Sequence, residues 1–248
     1  GYMAIVLDCY KEASILVFCG IAFVILYIQL LHQKVITRID ETITKERLIE
    51  KLSSANLSAK LLAEQDALTK LKNRTFFNQK IVKIWRLCHD KQQSLSIIIL
   101  DIDHFKAYND NYGHIAGDKA LRKIAKCMKQ IDLESEHSFF ARVGGEEFIV
   151  VLPDTETEQA VSIANLIREK VEDAAIPHAF SSCSDVVTLS AGVSSIVPPK
   201  GRSFIELIEI SDRALYQAKE GGRNRVSILT NQHHAEVQEP PLQKQTID

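Results

Sequence analysis

The chain has no C-x-x-C pair. Its five cysteines, Cys9, Cys19, Cys88, Cys127 and Cys183, are scattered and odd in number. That argues against a zinc knuckle and against a disulfide framework, and it fits reducing surroundings for the polar part of the chain. Charge of one sign is also scarce: the formal net charge is -2 and the pI is near 6.5. No bulk electrostatic attraction to a nucleic acid polymer follows from that balance. There is no basic leader and no small-residue cleavage pattern ahead of Gln33, so a signal peptide is not predicted. Glycine and proline are missing altogether from residues 33–65.

What is present divides the chain. Residues 13–31, ASILVFCGIAFVILYIQLL, contain no charged side chain. As a helix this stretch would be roughly 28 Å long, close to the hydrocarbon thickness of a bilayer. Residues 1–32 are therefore predicted to hold a transmembrane segment. Lys34 and Arg38 follow it, against Lys11 with Glu12 before it, and this bias places the C-terminal side in the cytoplasm. Residues 33–65 are predicted to form one continuous helix. Ile36, Ile39 and Ile43 follow a 3-4 spacing, which Leu48, Leu52, Ala55, Ala59 and Leu62 resume after a phase slip near Glu46. Such a seam predicts a dimeric coiled coil with a stutter; the alternative is one amphipathic helix lying on the domain. The last residues, 231–248, are polar, contain Pro240-Pro241, and are predicted to be disordered.

Between these ends, residues 66–230 read as a catalytic domain. SLSIIILDID is a β-branched run suited to one buried strand ending at Asp101. A helix is predicted from about Gly117 to Gln130, then a hairpin across FFARVGGEEFIVVLP. Gly144-Gly145 is expected to form a two-residue turn with positive φ at both positions. A long amphipathic helix follows, from about Thr155 to Ala174, and DVVTLSAGVSSI supplies another strand. The order is βαββαβ, an α+β, ferredoxin-like arrangement in which the first and third strands are antiparallel neighbours. Asp101 is thus expected to converge with Glu146. Two carboxylates held together repel unless a cation sits between them, and hard oxygen ligands with room for water and phosphate suit magnesium. An acidic pair on the first strand and central hairpin of such a sheet is the layout of a polymerase palm.

Four motifs then combine. RVGGEEF, with DIDHFKAYNDNYGHIAGD upstream, DALTKLKNRTFF at the front and YQAKEGGRN at the back, resembles the GGDEF family of diguanylate cyclases. The resemblance implies synthesis of cyclic di-GMP from two GTP molecules with release of two pyrophosphates, across a homodimer. It further implies a bacterial inner-membrane protein whose catalytic domain lies in the cytoplasm. By the same resemblance Asp101, the backbone carbonyl of Ile102 and Glu146 are the metal ligands, for Mg2+ or possibly Mn2+, and Glu146 also accepts the proton of the attacking hydroxyl. Asn109 and Asp118 match the guanine readers. Phe105 and Lys106 match the loop that holds the β- and γ-phosphates, Gly144 and Gly145 belong to the substrate-binding turn, and Lys219 and Arg223 resemble distal phosphate contacts. Asp66, Asn73 and Arg74 match the family's entry motif and read as bracing, while Asp103, Glu147 and His114 read as structural groups. Downstream receptors of the product are not legible.

One departure stands out. Where many family members carry an Arg-x-x-Asp product-inhibition motif, this chain has Ser135 to Ser138, SEHS. Neither guanine nor phosphate can be held there by Arg and Asp. Two rival readings accompany the enzyme: a catalytically inactive module that binds GTP or cyclic di-GMP, and a membrane-anchored coiled coil. The first usually loses metal or glycine positions, which are intact here, and the second leaves the acidic, guanine-type and phosphate-type positions unexplained.

Overall fold

A computed structural model describes residues 1–229; the tail expected to be disordered, 231–248, lies outside the described residues. The chain divides into two compact units, Gly1–Lys60 and a second beginning at Leu61.

The first unit is helical throughout, within α1 (Tyr2–Glu64). No proline interrupts α1, and hydroxyl side chains that would otherwise compete with the backbone turn back onto it: Thr37 and Thr42 donate to the carbonyls of Gln33 and Arg38. Within Tyr10–Leu57 mean hydropathy reaches 2.5, and none of that apolar window is buried. Phe18, Phe23 and Leu26 are all exposed. Among the described residues this is the one helix long and apolar enough to cross a membrane.

The second unit is a six-stranded sheet with helices on both faces. Its strands are β1 (Lys72–Asn73), β2 (Leu95–Ile102), β3 (Phe139–Arg142), β4 (Glu147–Pro153), β5 (Leu189–Ile196) and β6 (Val226–Ile228). Their order across the sheet is β1-β3-β4-β2-β5-β6, with β2 antiparallel to both β4 and β5. The helices are α2 (Arg74–Lys91), α3 (Phe105–Tyr112), α4 (His114–Lys129), α5 (Thr157–Asp173) and α6 (Phe204–Glu220). The central strands and crossovers agree with the βαββαβ reading. Two edge strands, β1 and β6, run parallel to β3 and β5.

Period-two alternation in β2 builds two cores from one strand. Ile98, Leu100 and Ile102 pack with Phe148, Val150 and Leu152 against residues of α4 and α5. Leu95, Ile97 and Ile99 face the other way, with Ile149 and Val151, against α2 and α6. Every residue of β2 is buried. Asp101 belongs to the second series, which directs it to the side that α6 covers.

The hairpin differs from expectation. Neither Gly144 nor Gly145 has a positive φ, and four residues, 143–146, connect β3 to β4. The turn is closed instead by two arginine side chains, one from within the hairpin and one from 69 residues away. Arg142 donates through Nε and a terminal nitrogen to the Gly145 carbonyl, at 3.1 and 2.6 Å, and Arg74 Nε donates to the Val143 carbonyl at 2.7 Å. Gly144 is needed for space rather than for dihedral freedom, since a Cβ there would overlap the Glu147 carboxylate.

Arg142 also reaches the front of the domain, placing a terminal nitrogen 3.1 Å from Asp66 Oδ1. The same oxygen accepts from the Thr69 N–H and hydroxyl. Beside it, Asn73 caps α2 by accepting from the Phe76 N–H and donates to the carbonyls of Ala63 and Gln65. Burial works against an ionised Asp66, but the Thr69 and Arg142 bonds outweigh it and hold the carboxyl below its ordinary range. A lowered carboxylate contributes stability above the unfolded pKa and loses it as pH falls through the folded one. Asp66→Ala is therefore expected to lower Tm by about 3–8 °C at pH 7. The gap to wild type should narrow as pH falls through and below the ordinary aspartate range, and thermal melts across that range check it.

Candidate active site

The site lies where β2 ends and β4 begins. Register sets Asp101 directly across from Glu147, the first residue of β4, with Glu146 one step earlier in the turn. Burial raises the Asp101 carboxyl above its ordinary range; the Lys219 ammonium, 2.9 Å from Oδ1, pulls it back, and Glu147 and Asp103 add to the rise. Glu146 is raised by burial and then by the charge of Asp101, with Lys219 opposing. These are the marks of carboxylates forced together in a partly dry cleft. Lys219 comes from the last turn of α6 and supplies the positive charge they call for.

Asp103, two residues on, has a different life. It is 1% exposed, and its carboxylate accepts from the hydroxyls of Thr188 and Ser190 and from the Asn224 N–H at 2.7–3.0 Å. Its own N–H donates to the Thr188 carbonyl. Asp103 thereby joins the end of β2 to β5 and to the segment carrying Arg223. Serine, threonine and asparagine around a buried Asp are hard to pair from sequence, because the partners lie more than eighty residues away.

Next comes His104, a left-handed residue (φ 53, ψ 28) that caps α3 without a side-chain bond. Its ring is pushed towards the neutral form by burial and by the charge of Arg223, which places that guanidinium near the start of α3. The first N–H groups of a helix have no partner within it. Phe105 and Lys106 are the first two residues of α3 and carry such N–H groups. The Phe105 side chain is spent on the core, stacked on Tyr108, so only its backbone is offered.

Asn109 stands near the end of α3 and Asp118 near the start of α4. The Asn109 carboxamide lies against Gly117, where a Cβ would overlap it, and Asp118 is the next residue, exposed. Gly117 is thus a requirement of the Asn109 position, a role its sequence context did not reveal. Among the described residues no three His, Cys, Asp or Glu side chains converge on one point. A cation here would be held by two carboxylates and a main-chain carbonyl, with the remaining places left to phosphate and water. That donor set fits magnesium.

Comparison with known proteins agrees with this architecture. Residues 63–225 match the family described as "Diguanylate cyclase, GGDEF domain". The chain is 42% identical over 142 residues to diguanylate cyclase A of Treponema denticola, covering 57% of this chain and 37% of that protein. It is 40% identical over 171 residues to a diguanylate cyclase of Vibrio cholerae, covering 67% of this chain and 50% of that one. The chain thus spans half or less of the length of these relatives. Among solved structures, the coiled coil and GGDEF domain of DgcB from Caulobacter crescentus, in complex with c-di-GMP, superposes with a TM-score of 0.67 at 29% identity. That superposition covers 78% of this chain and 98% of the DgcB chain. Together with the sheet order and the acidic groups where β2 ends and β4 begins, the match over residues 63–225 shows that the chain belongs to the GGDEF family of diguanylate cyclases.

Proposed function

We propose that the protein is a membrane-anchored diguanylate cyclase that joins two GTP molecules into cyclic di-GMP across a homodimer. The observation that supports this reading best is the placing of Asp101 across from Glu147, with Glu146 one step earlier in the turn, next to Lys219. Asp101, Glu146 and the Ile102 carbonyl would hold Mg2+, or Mn2+ in its place. Bound there, the ion would lower the pKa of the attacking hydroxyl and neutralise charge on the phosphates.

The chain's own groups do the remaining work. Phe105 and Lys106 N–H groups, with the Lys106 ammonium and Arg223, take the β- and γ-phosphates, while Gly144 and Gly145 leave the turn free of side chains near the nucleotide. Asn109 and Asp118 read guanine. An aspartate can accept from both N1–H and the exocyclic amine, a donor pair that adenine lacks. Glu146, made more basic by burial and by Asp101, accepts the 3′-hydroxyl proton. The 3′-oxygen of one GTP then bonds to the α-phosphorus of the other, the bond from that phosphorus to the bridging oxygen breaks, and pyrophosphate leaves. Repeating the step closes the ring. Lys219 is free to leave Asp101 for a phosphate once other positive charge is present. In this reading α1 anchors the protein in the inner membrane, keeps the catalytic unit in the cytoplasm, and pairs with a second copy.

The test uses the full chain in lipid vesicles with GTP and magnesium. One pyrophosphate per GTP consumed, cyclic di-GMP as product, and a rate per molecule that climbs with protein-to-lipid ratio are expected. GTP bound without pyrophosphate release would indicate an inactive binding module instead.

Glu146→Gln is expected to cut turnover by at least about 100-fold, the scale of a lost general base. With chelator present it should also raise Tm by about 1–4 °C, because a neutral amide relieves the crowding around Asp101. Unchanged turnover would remove Glu146 from the chemistry.

A further expectation concerns feedback. Ser135 and Ser138 line a cleft of about 510 Å³ whose charged residues are Asp132, Glu134 and Asp154, with no lysine or arginine among the lining side chains. Phosphates would be repelled on that side; on the other, Ser138 lines a second cleft with Lys72, Lys80 and Lys83, but without the Arg-x-x-Asp pair that would hold guanine and phosphate together. Added cyclic di-GMP is therefore expected to raise the apparent KM for GTP while leaving the maximal rate unchanged. A falling maximal rate in initial-rate plots would reveal a second product site.

A further inference from the structure

His178 has no part in the chemistry above. It is 1% exposed, and its Nδ1 is the one described buried side-chain nitrogen or oxygen without a hydrogen-bond partner. Packing alone gives no reason to keep a polar ring in such a place, because an unpartnered buried acceptor is costly and a benzene ring of nearly the same shape would avoid it. The other nitrogen shows what the ring does. Nε2 lies 3.2 Å from the His104 carbonyl oxygen, and since a carbonyl can only accept, the hydrogen is on Nε2.

That carbonyl is a demanding position. It also accepts the Tyr108 N–H at 3.0 Å, the first bond of α3, and it belongs to the left-handed residue that aims the free N–H groups of Phe105 and Lys106. A left-handed non-glycine residue is strained and persists only when its surroundings hold it. One side is held by Asp103, whose N–H bonds to Thr188. The other is held by the loop at 177–186. This loop is closed at its neck by the bridge between Pro177 and Val186 and by the His178 N–H bond to the Asp185 carbonyl. It makes three hydrogen bonds with the turn and its helix: His178 to the His104 carbonyl, Ser182 Oγ at 3.0 Å from His104 Nε2, and the Ala179 N–H donating to the Tyr112 hydroxyl at 3.0 Å. The His178 ring is set edge-on to Tyr108 and Tyr112, which fixes its direction.

We infer that His178 is a positioning residue: through its Nε2–H bond to the His104 carbonyl it holds the anion-binding turn at Phe105 and Lys106 in the shape that receives a triphosphate. The identity of that ligand rests on the cyclase reading; the clamp itself does not. The variants are His178→Phe, which keeps the ring and its stacking but has no donor, and His178→Gln, whose amide can again donate near the Nε2 position. With the full chain in vesicles, His178→Phe is expected to melt at or above the wild-type temperature. Its KM for GTP should rise about three- to tenfold, the loss of one hydrogen bond, while kcat stays within about twofold. His178→Gln should bring KM back. Independently of any nucleotide, amide hydrogen exchange at Phe105 to Tyr108 should quicken in His178→Phe and recover in His178→Gln.

Equal exchange in wild type and His178→Phe overturns the inference, as does a His178→Phe protein that simply melts lower with KM unaltered. If the wild type fails to consume GTP, the cyclase reading falls on its own, and the exchange measurement still decides whether the clamp exists.

Discussion

The catalytic unit depends on the antiparallel register of β2 against β4. It forces acidic groups together at the rim of a sheet whose interior is apolar on both faces. Ionised carboxylates this close, and partly desolvated, oppose folding. They persist because the strands behind them are buried throughout and because Lys219 lends a charge. Stability made along the strands is spent at their ends, where charge is concentrated and a cation and phosphates are most readily attracted.

The surrounding parts hold that rim in shape. Arg142 and Arg74 bind the carbonyls of the turn, and Arg142 joins it to Asp66 at the front of the unit. Asp103 joins β2 to β5 and to the Arg223 segment through three donors. Both devices pair a charged side chain with backbone or hydroxyl groups far away in sequence, and both act on main-chain atoms next to the site.

Much of this was legible beforehand. SLSIIILDID could only be a strand buried on both faces, and the helices near Gly117–Gln130 and Thr155–Ala174 appear as α4 (His114–Lys129) and α5 (Thr157–Asp173). The topology brought the end of β2 beside the start of β4 as expected, but the register sets Asp101 across from Glu147, which had been expected to face away, rather than from Glu146. The failures share one cause. Gly-Gly suggested a tight turn with positive φ, whereas bonds from Arg142 nearby and Arg74 far away set a wider one, and what Gly144 provides is room for Glu147. The two-residue strand β1 is too short to show a period, and α3, eight residues, was hidden inside a motif read for its chemistry. His178 and the Arg142–Asp66 pair carried no local signal, since these partners lie 74 and 76 residues apart.

Complete burial of Leu95–Ile102 has an evolutionary consequence. Six of its eight residues serve one of two hydrophobic layers, Ser96 donates to the Thr155 carbonyl and Asp101 faces the site, so almost any replacement leaves a void, a clash or a lost polar partner. The sequence has few neutral steps along which to drift there. Divergence within such a lineage must accumulate on helix surfaces and in the loops around the mouth of the cleft, where new regulatory inputs can be tried without disturbing the centre.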